Sequence, residues 1–234
     1  MERKLALKAP FFEIGPKNYF YGDQIIDLAR IADEAAAKYD VRVIYTTPYA
    51  NIAQGASFAK NIKVFAPHMD DIPVGRGLAC VLPESVKAAG AVGVMLNHSE
   101  RPLTLATLYK TIARAGEVGL LSIVCADSMA ETRAVARLNP DLMVTEPVEL
   151  IGTGKAAGTD YVAEAFEAVT SISPNIGVLA GGGVANGQDV YDIIMAGADA
   201  TGSSSGIAKA KDPGAMVHEM LAAVRQAWDE RNGK

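Results

Sequence analysis

Eight short apolar runs, a helical pattern after almost every one, and apolarity on both faces of the runs predict an α/β fold. The form predicted is a single-domain (β/α)8 barrel over residues 1–234. Runs that are apolar on both faces suit parallel strands covered by helices, and parallel neighbours need a crossover rather than a tight hairpin. Eight strand-then-helix units exceed what an open doubly wound sheet usually holds. Such a sheet would also carry a glycine-rich turn after its first strand, whereas this chain has Gly15-Pro16-Lys17, which is not GxGxxG.

The strands are expected at Ala9–Ile14, Val41–Tyr45, Ile62–Ala66, Val92–Leu96, Leu120–Val124, Leu142–Thr145, Ile176–Ala180 and Ala198–Gly202. Helical spacing of apolar residues marks Asp23–Lys38, Leu82–Ala89, Leu103–Ala115, Met129–Leu138, Asp160–Ser171, Asp189–Met195 and Pro213–Arg231. Ile52–Ala59, after the second strand, has the weakest helical pattern. Pro67–Leu82 is the longest irregular stretch and reads as a projecting loop serving binding or assembly. Within it Asp70 and Asp71 read as solvated loop charges, and His68 as a structural side chain.

Composition narrows the function. Half of the residues are apolar and 21% are charged, enough to bury a sizeable core. A formal net charge of −5 without a Lys/Arg stripe argues against nucleic acid as a partner, although backbone N–H groups can bind phosphate at any net charge. Cys80 and Cys125 make neither a disulfide framework nor a CxxC site. Charges interrupt the first eight residues too often for a signal sequence, and no apolar stretch is long enough for a membrane span. The expectation is a cytoplasmic protein.

In such a barrel chemistry lies at the carboxyl ends of the strands. Glu146 ends an apolar run there and is followed by Pro147-Val148-Glu149-Leu150-Ile151-Gly152-Thr153-Gly154, a segment stiff at one end and hinged by glycine at the other. That is the form of a base beneath a movable lid. Asn97-His98-Ser99-Glu100 ends another run, so a Glu and a His can meet as an acid–base pair. Lys17 follows the first strand, with Lys8 a weaker competitor on the near side of it. Gly181-Gly182-Gly183 and Gly202-Ser203-Ser204-Ser205-Gly206 follow the last two strands, where barrels often build a phosphate site from backbone donors.

These segments resemble the triosephosphate isomerase family, especially its compact archaeal-type members. Gly93-Val94-Met95-Leu96-Asn97-His98-Ser99-Glu100 looks like its catalytic-histidine segment, and Glu146 through Gly154 like its catalytic glutamate and closing loop. Gly181-Gly182-Gly183-Val184 and Ser204-Ser205-Gly206, with Lys209-Ala210-Lys211-Asp212-Pro213 beyond, resemble its phosphate turns. The resemblance implies a TIM barrel, no cofactor and no metal. It also implies isomerisation of a small sugar phosphate through an enediol(ate). By the same token Glu146, His98 and Lys17 are catalytic, Glu100 orients Lys17, and Gly152, Gly183, Ser204 and Ser205 hold the phosphate. A homodimer or homotetramer formed through loop 67–82 is implied as well. The pairing of a glutamate base with a neutral histidine is a worked example for triosephosphate isomerase itself.

The family's first motif is Asn-x-Lys, and here Gly15 stands in the Asn position; Pro102 also replaces an expected Arg. An absent Asn side chain leads to the expectation of empty space at Gly15, enough for an extra hydroxymethyl group. The chain as a whole resembles the branch that interconverts L-erythrulose 1-phosphate and D-erythrulose 4-phosphate in erythritol catabolism. An ordinary glycolytic triosephosphate isomerase, a non-catalytic sugar-phosphate-binding paralogue and a metal-dependent epimerase are the alternatives.

Overall fold

Residues 3–234 are described in a computed structural model. Eight strands close on themselves in chain order, every neighbouring pair parallel, with the first strand hydrogen-bonded to the last. The elements run β1 (Phe11–Ile14), α1 (Asp23–Tyr39), β2 (Arg42–Thr46), α2 (Ile52–Phe58), β3 (Ile62–Ala66), α3 (Pro83–Ala88), β4 (Gly93–Leu96) and α4 (Leu105–Glu117). They continue with β5 (Leu121–Ala126), α5 (Met129–Ala136), β6 (Leu142–Thr145), α6 (Thr159–Thr170), β7 (Gly177–Ala180), α7 (Gly187–Met195), β8 (Ala200–Ser203), α8 (Ser205–Ala208) and α9 (Pro213–Arg231). No helix among the described residues is long and apolar enough to cross a membrane.

Each strand is buried on both faces, so successive side chains alternate between two cores. Phe11, Ile44, Phe65, Met95, Ile123, Leu142, Leu179 and Ala200 fill the barrel interior, and Leu7 joins the same cluster from the amino-terminal side. The intervening residues, such as Phe12, Ile14, Val43 and Tyr45, pack outward against α1, α7 and α9. A second outer cluster runs from Val64 through Val94 and Val124 to Val178 beneath the helices of the other half. Interior volume is limiting: a Cβ on Gly93 would stand 2.2 Å from the Phe65 ring. That glycine is a space requirement of the Phe65 side chain.

Helix starts are set by local chemistry. The side chains of Thr104, Ser128, Asn186 and Asp212 each accept a hydrogen bond from a backbone N–H in the first turn of α4, α5, α7 and α9. The cap at Asn186 starts α7 at Gly187, two residues before the Asp189 start read from apolar spacing. The weakly patterned segment after β2 forms a 3₁₀ turn at Tyr49–Asn51 leading into α2. α8 was expected only as a glycine- and serine-rich turn and is a four-residue helix.

One sequence expectation changes in loop 67–82. Asp70 is a structural staple instead of a solvated charge: its Oδ2 accepts the Val81 N–H at 2.6 Å, and its own N–H reaches the Val81 carbonyl at 3.0 Å. Its Oδ1 lies 3.3 Å from Nε2 of the buried His68. The base of the loop is therefore pinned while its tip is open, with Val74 71% exposed and Leu78 fully so.

Candidate active site

A cavity of about 760 Å³ opens at the carboxyl ends of the strands. Lys17, His98, Glu100, Glu146, Gly152, Gly183, Ser204 and Ser205 all line it, so these eight are brought to one place. Lys8 is exposed and is not among the lining residues, whereas Lys17 is.

Glu146 follows β6 directly, and its N–H continues the strand ladder to the Ala126 carbonyl at 3.1 Å. Burial pushes its carboxyl up to about 7; Lys17 opposes this, and Asp127 and Glu100 add to it. Pro147 then turns the chain into a 3₁₀ turn at Val148–Leu150, and Gly152 and Gly154 both hold positive φ. Segment 147–154 thus has a proline-fixed dihedral at one end and glycines in the left-handed region at the other.

His98 sits after β4. Its Nδ1 accepts the Glu100 N–H at 3.0 Å, so in the neutral ring the proton is on Nε2, free to donate. Burial first, and the Lys17 charge second, hold the imidazole below its ordinary value, while Glu100 opposes them. The ring is aimed by Asn97, which adopts φ 58° and is buried. The Asn97 amide donates to the Cys125 carbonyl at 2.9 Å and to Glu131 Oε1 at 2.8 Å, and its Oδ1 accepts the Leu103 N–H at 2.9 Å. Glu131 Oε2 in turn accepts the Asp127 N–H at 2.9 Å. The sequence reading did not assign this bracket joining β4, β5 and α5, because its partners lie some 30 residues apart.

Lys17 ion-pairs with Glu100 at 2.7 Å, the orienting contact that the resemblance implied. The Lys17 side chain lowers the Glu100 carboxyl, chiefly through that hydrogen bond. Lys17 itself holds φ 47°, a region that costs a non-glycine residue about 1–3 kcal/mol and that clusters at functional positions.

The last two turns are locked to the lid and to β1. A Cβ on Gly183 would stand 1.9 Å from the Lys155 carbonyl oxygen, so the backbone just beyond the lid lies directly on it. Ser204 Oγ donates to the Gly15 carbonyl at 2.6 Å, and Ser203 Oγ to Val184 at 2.9 Å. Gly152, Gly183, Ser204 and Ser205 therefore converge on one side of the cavity. Their backbone can offer N–H donors to an anion.

A site residue absent from the sequence reading is Glu13, on β1. Phe11, Glu13 and Gly15 share the inward face of that strand by their spacing of two, and this was the available signal. The carboxyl fills the space expected to be empty: a Cβ on Gly15 would lie 3.1 Å from Glu13 Oε1. The expectation of a void beside Gly15 is therefore corrected. Burial raises this second carboxyl to about 7, against the pull of Thr46 and of Lys17.

The comparisons with known proteins agree with this geometry. The family model described as triosephosphate isomerase matches residues 17–220. The chain belongs to the triosephosphate isomerase family. It is 34% identical over 229 residues to the triosephosphate isomerase of Sulfurisphaera tokodaii, covering 96% of this chain and all of that one. To the Methanosarcina mazei triosephosphate isomerase it is 34% identical over 221 residues, with 92% and 99% covered. Among solved structures, that of triosephosphate isomerase from Bartonella henselae superposes with a TM-score of 0.75 over 94% of this chain and 99% of that one. At 17% identity the likeness is one of fold. The matched span begins at Lys17 and so leaves out Glu13 and Gly15.

Proposed function

We propose that this family member is a cofactor-independent sugar-phosphate isomerase that moves a carbonyl between adjacent carbons through an enediol(ate). The observation that carries the reading is the pairing, in one cavity, of a carboxyl raised to about 7 with an imidazole held neutral and donating from Nε2. Glu146 takes the proton from the carbon next to the carbonyl, because a poorly solvated carboxylate is a stronger base. His98 Nε2–H and the Lys17 ammonium stabilise the negative oxygen that develops. Glu146 returns the proton to the neighbouring carbon. Gly152, Gly183, Ser204 and Ser205 hold the phosphate at the far end, and closure of segment 147–154 keeps water from the intermediate.

Two substrates fit this chemistry. Kinship with triosephosphate isomerases favours the three-carbon pair, glyceraldehyde 3-phosphate and dihydroxyacetone phosphate. The Glu13 carboxyl that stands beside Gly15 can bind an additional hydroxyl, which favours a four-carbon pair, L-erythrulose 1-phosphate and D-erythrulose 4-phosphate. Isomerisation in D2O tests the mechanism common to both. A proton shuttled by Glu146 exchanges with solvent, so carbon-bound deuterium is expected in product. Product free of deuterium, together with turnover that survives Glu146→Gln, would end the enediol(ate) reading. The exposed tip of loop 67–82, with Val74 and Leu78, is assigned to contact between copies of the chain in a homodimer or homotetramer.

A further inference from the structure

The cavity floor is formed by Met95, Cys125, Val144 and Leu179, all buried apolar side chains of the barrel interior. Two polar groups break it, Glu13 and Thr46, which are 9% and 6% exposed. Glu13 Oε1 and Thr46 Oγ1 make no well-formed hydrogen bond among the described residues, although the threonine hydroxyl is near enough to the carboxyl to lower it. Buried polar atoms are normally satisfied, and a carboxyl left without a partner inside a barrel is a standing cost to the fold. The surrounding backbone is nonetheless cut to admit it. Closure of the barrel pairs Glu13 with Gly202. A Cβ on Gly202 would come within 2.8 Å of the Glu13 carbonyl oxygen, 2.9 Å of its Cβ and 3.2 Å of its Oε2, so backbone and carboxyl both need the glycine. Any larger residue there would push the carboxyl out of its place. Gly15, on the same inward face, leaves the other flank of the carboxyl open to the cavity.

We propose that Glu13 and Thr46 form a polar notch that hydrogen-bonds a substrate hydroxyl, and that Glu13 is the specificity-determining residue of the site. The notch takes a hydroxyl carried on the reacting end of the substrate, against the barrel floor. A triose phosphate ends at the reacting carbon, whereas a four-carbon ketose phosphate carries a further hydroxymethyl group beyond it. A hydroxyl both donates and accepts, so one group satisfies the carboxyl oxygen and the threonine hydroxyl together. A site built to bind a hydroxyl rejects the analogue that lacks it much more strongly than an apolar pocket rejects a missing methylene. This assignment rests on the isomerase reading of the same site.

The test is the ratio of kcat/KM for L-erythrulose 1-phosphate to that for glyceraldehyde 3-phosphate, in wild type, Glu13→Ala, Glu13→Gln and Thr46→Val. Both substrates are assayed on one preparation, so any loss of folded protein cancels from the ratio. The wild type is expected to prefer the four-carbon substrate by roughly 100-fold or more. Glu13→Ala should bring the ratio within about tenfold of unity, and Thr46→Val, which keeps the shape, should lower it roughly tenfold. Glu13→Gln, which retains both donor and acceptor, should preserve more of the preference than Glu13→Ala does. A wild type that prefers the triose, or a ratio that none of the substitutions moves, overturns the notch and leaves the isomerase reading standing. A wild type that turns over neither substrate removes both.

Discussion

Replacing Glu13 by Gln should make the protein more stable at high pH and change little at low pH. In the folded state the carboxyl holds its proton up to about 7, against 4.5 when unperturbed. Below the lower value it is neutral in both folded and unfolded chains, and the fold bears no charge-burial cost. As pH rises through 4.5 towards 7 the unfolded chain ionises first, so this group's favourable contribution is lost, and above 7 the loss is complete. At about 1.4 kcal/mol per pH unit of displacement, the full effect is about 3 kcal/mol. Gln cannot ionise, so the stability difference between Glu13→Gln and wild type should grow by about 3 kcal/mol from pH 4 to pH 8. Glu146 has a similarly raised carboxyl and its charge adds to the rise at Glu13, so part of the difference is carried by the coupling between the two. For a chain of this size the gain at pH 8 corresponds to roughly 6–12 °C in Tm, read by circular dichroism on parallel melts. A difference that stays flat within about 1 kcal/mol across the range would refute the reasoning: it would mean that the Glu13 carboxyl is solvated or already paired.

Four further outcomes are expected. Glu146→Gln should lower kcat by on the order of 1,000-fold or more, while inhibition by inorganic phosphate changes only a few-fold; retained turnover would exclude Glu146 as the base. kcat/KM should rise with pH through an apparent value near 7, since Glu146 must be ionised and His98 is already neutral there; a limb near 4.5 instead would contradict the buried carboxylate. Gly183→Ala places a Cβ 1.9 Å from the Lys155 carbonyl, so KM should rise by roughly tenfold or more as the lid end is displaced, and an unchanged KM would show that the lid does not rest on this turn. Leu78→Asp puts a charge at the exposed tip of loop 67–82 and should shift the protein toward monomer in analytical ultracentrifugation; an unchanged mass would place the contact elsewhere.

The positions of Lys17, His98 and Glu146 were legible because each immediately follows an apolar run, and parallel strands send such positions to one end of the barrel. The void expected at Gly15 failed because the reasoning counted only the atoms that position lost. It could not count the atoms that Glu13 supplies from two residues earlier on the same face. Asp70 and Asp71 look alike in sequence, and only folding back of the loop gives Asp70 the Val81 N–H to bind.

The sequence by itself determined the order of strands and helices, the parallel barrel and the set of strand-tip residues. Each of these follows from periodicity and capping, which act over a few neighbouring residues. Tertiary structure alone decided what lies beside what across the barrel seam. Ser204 reaches Gly15 across 189 positions, and Gly202 clears the space that Glu13 occupies. Both depend on closure of β1 against β8, a contact between the two ends of the chain that no local pattern encodes.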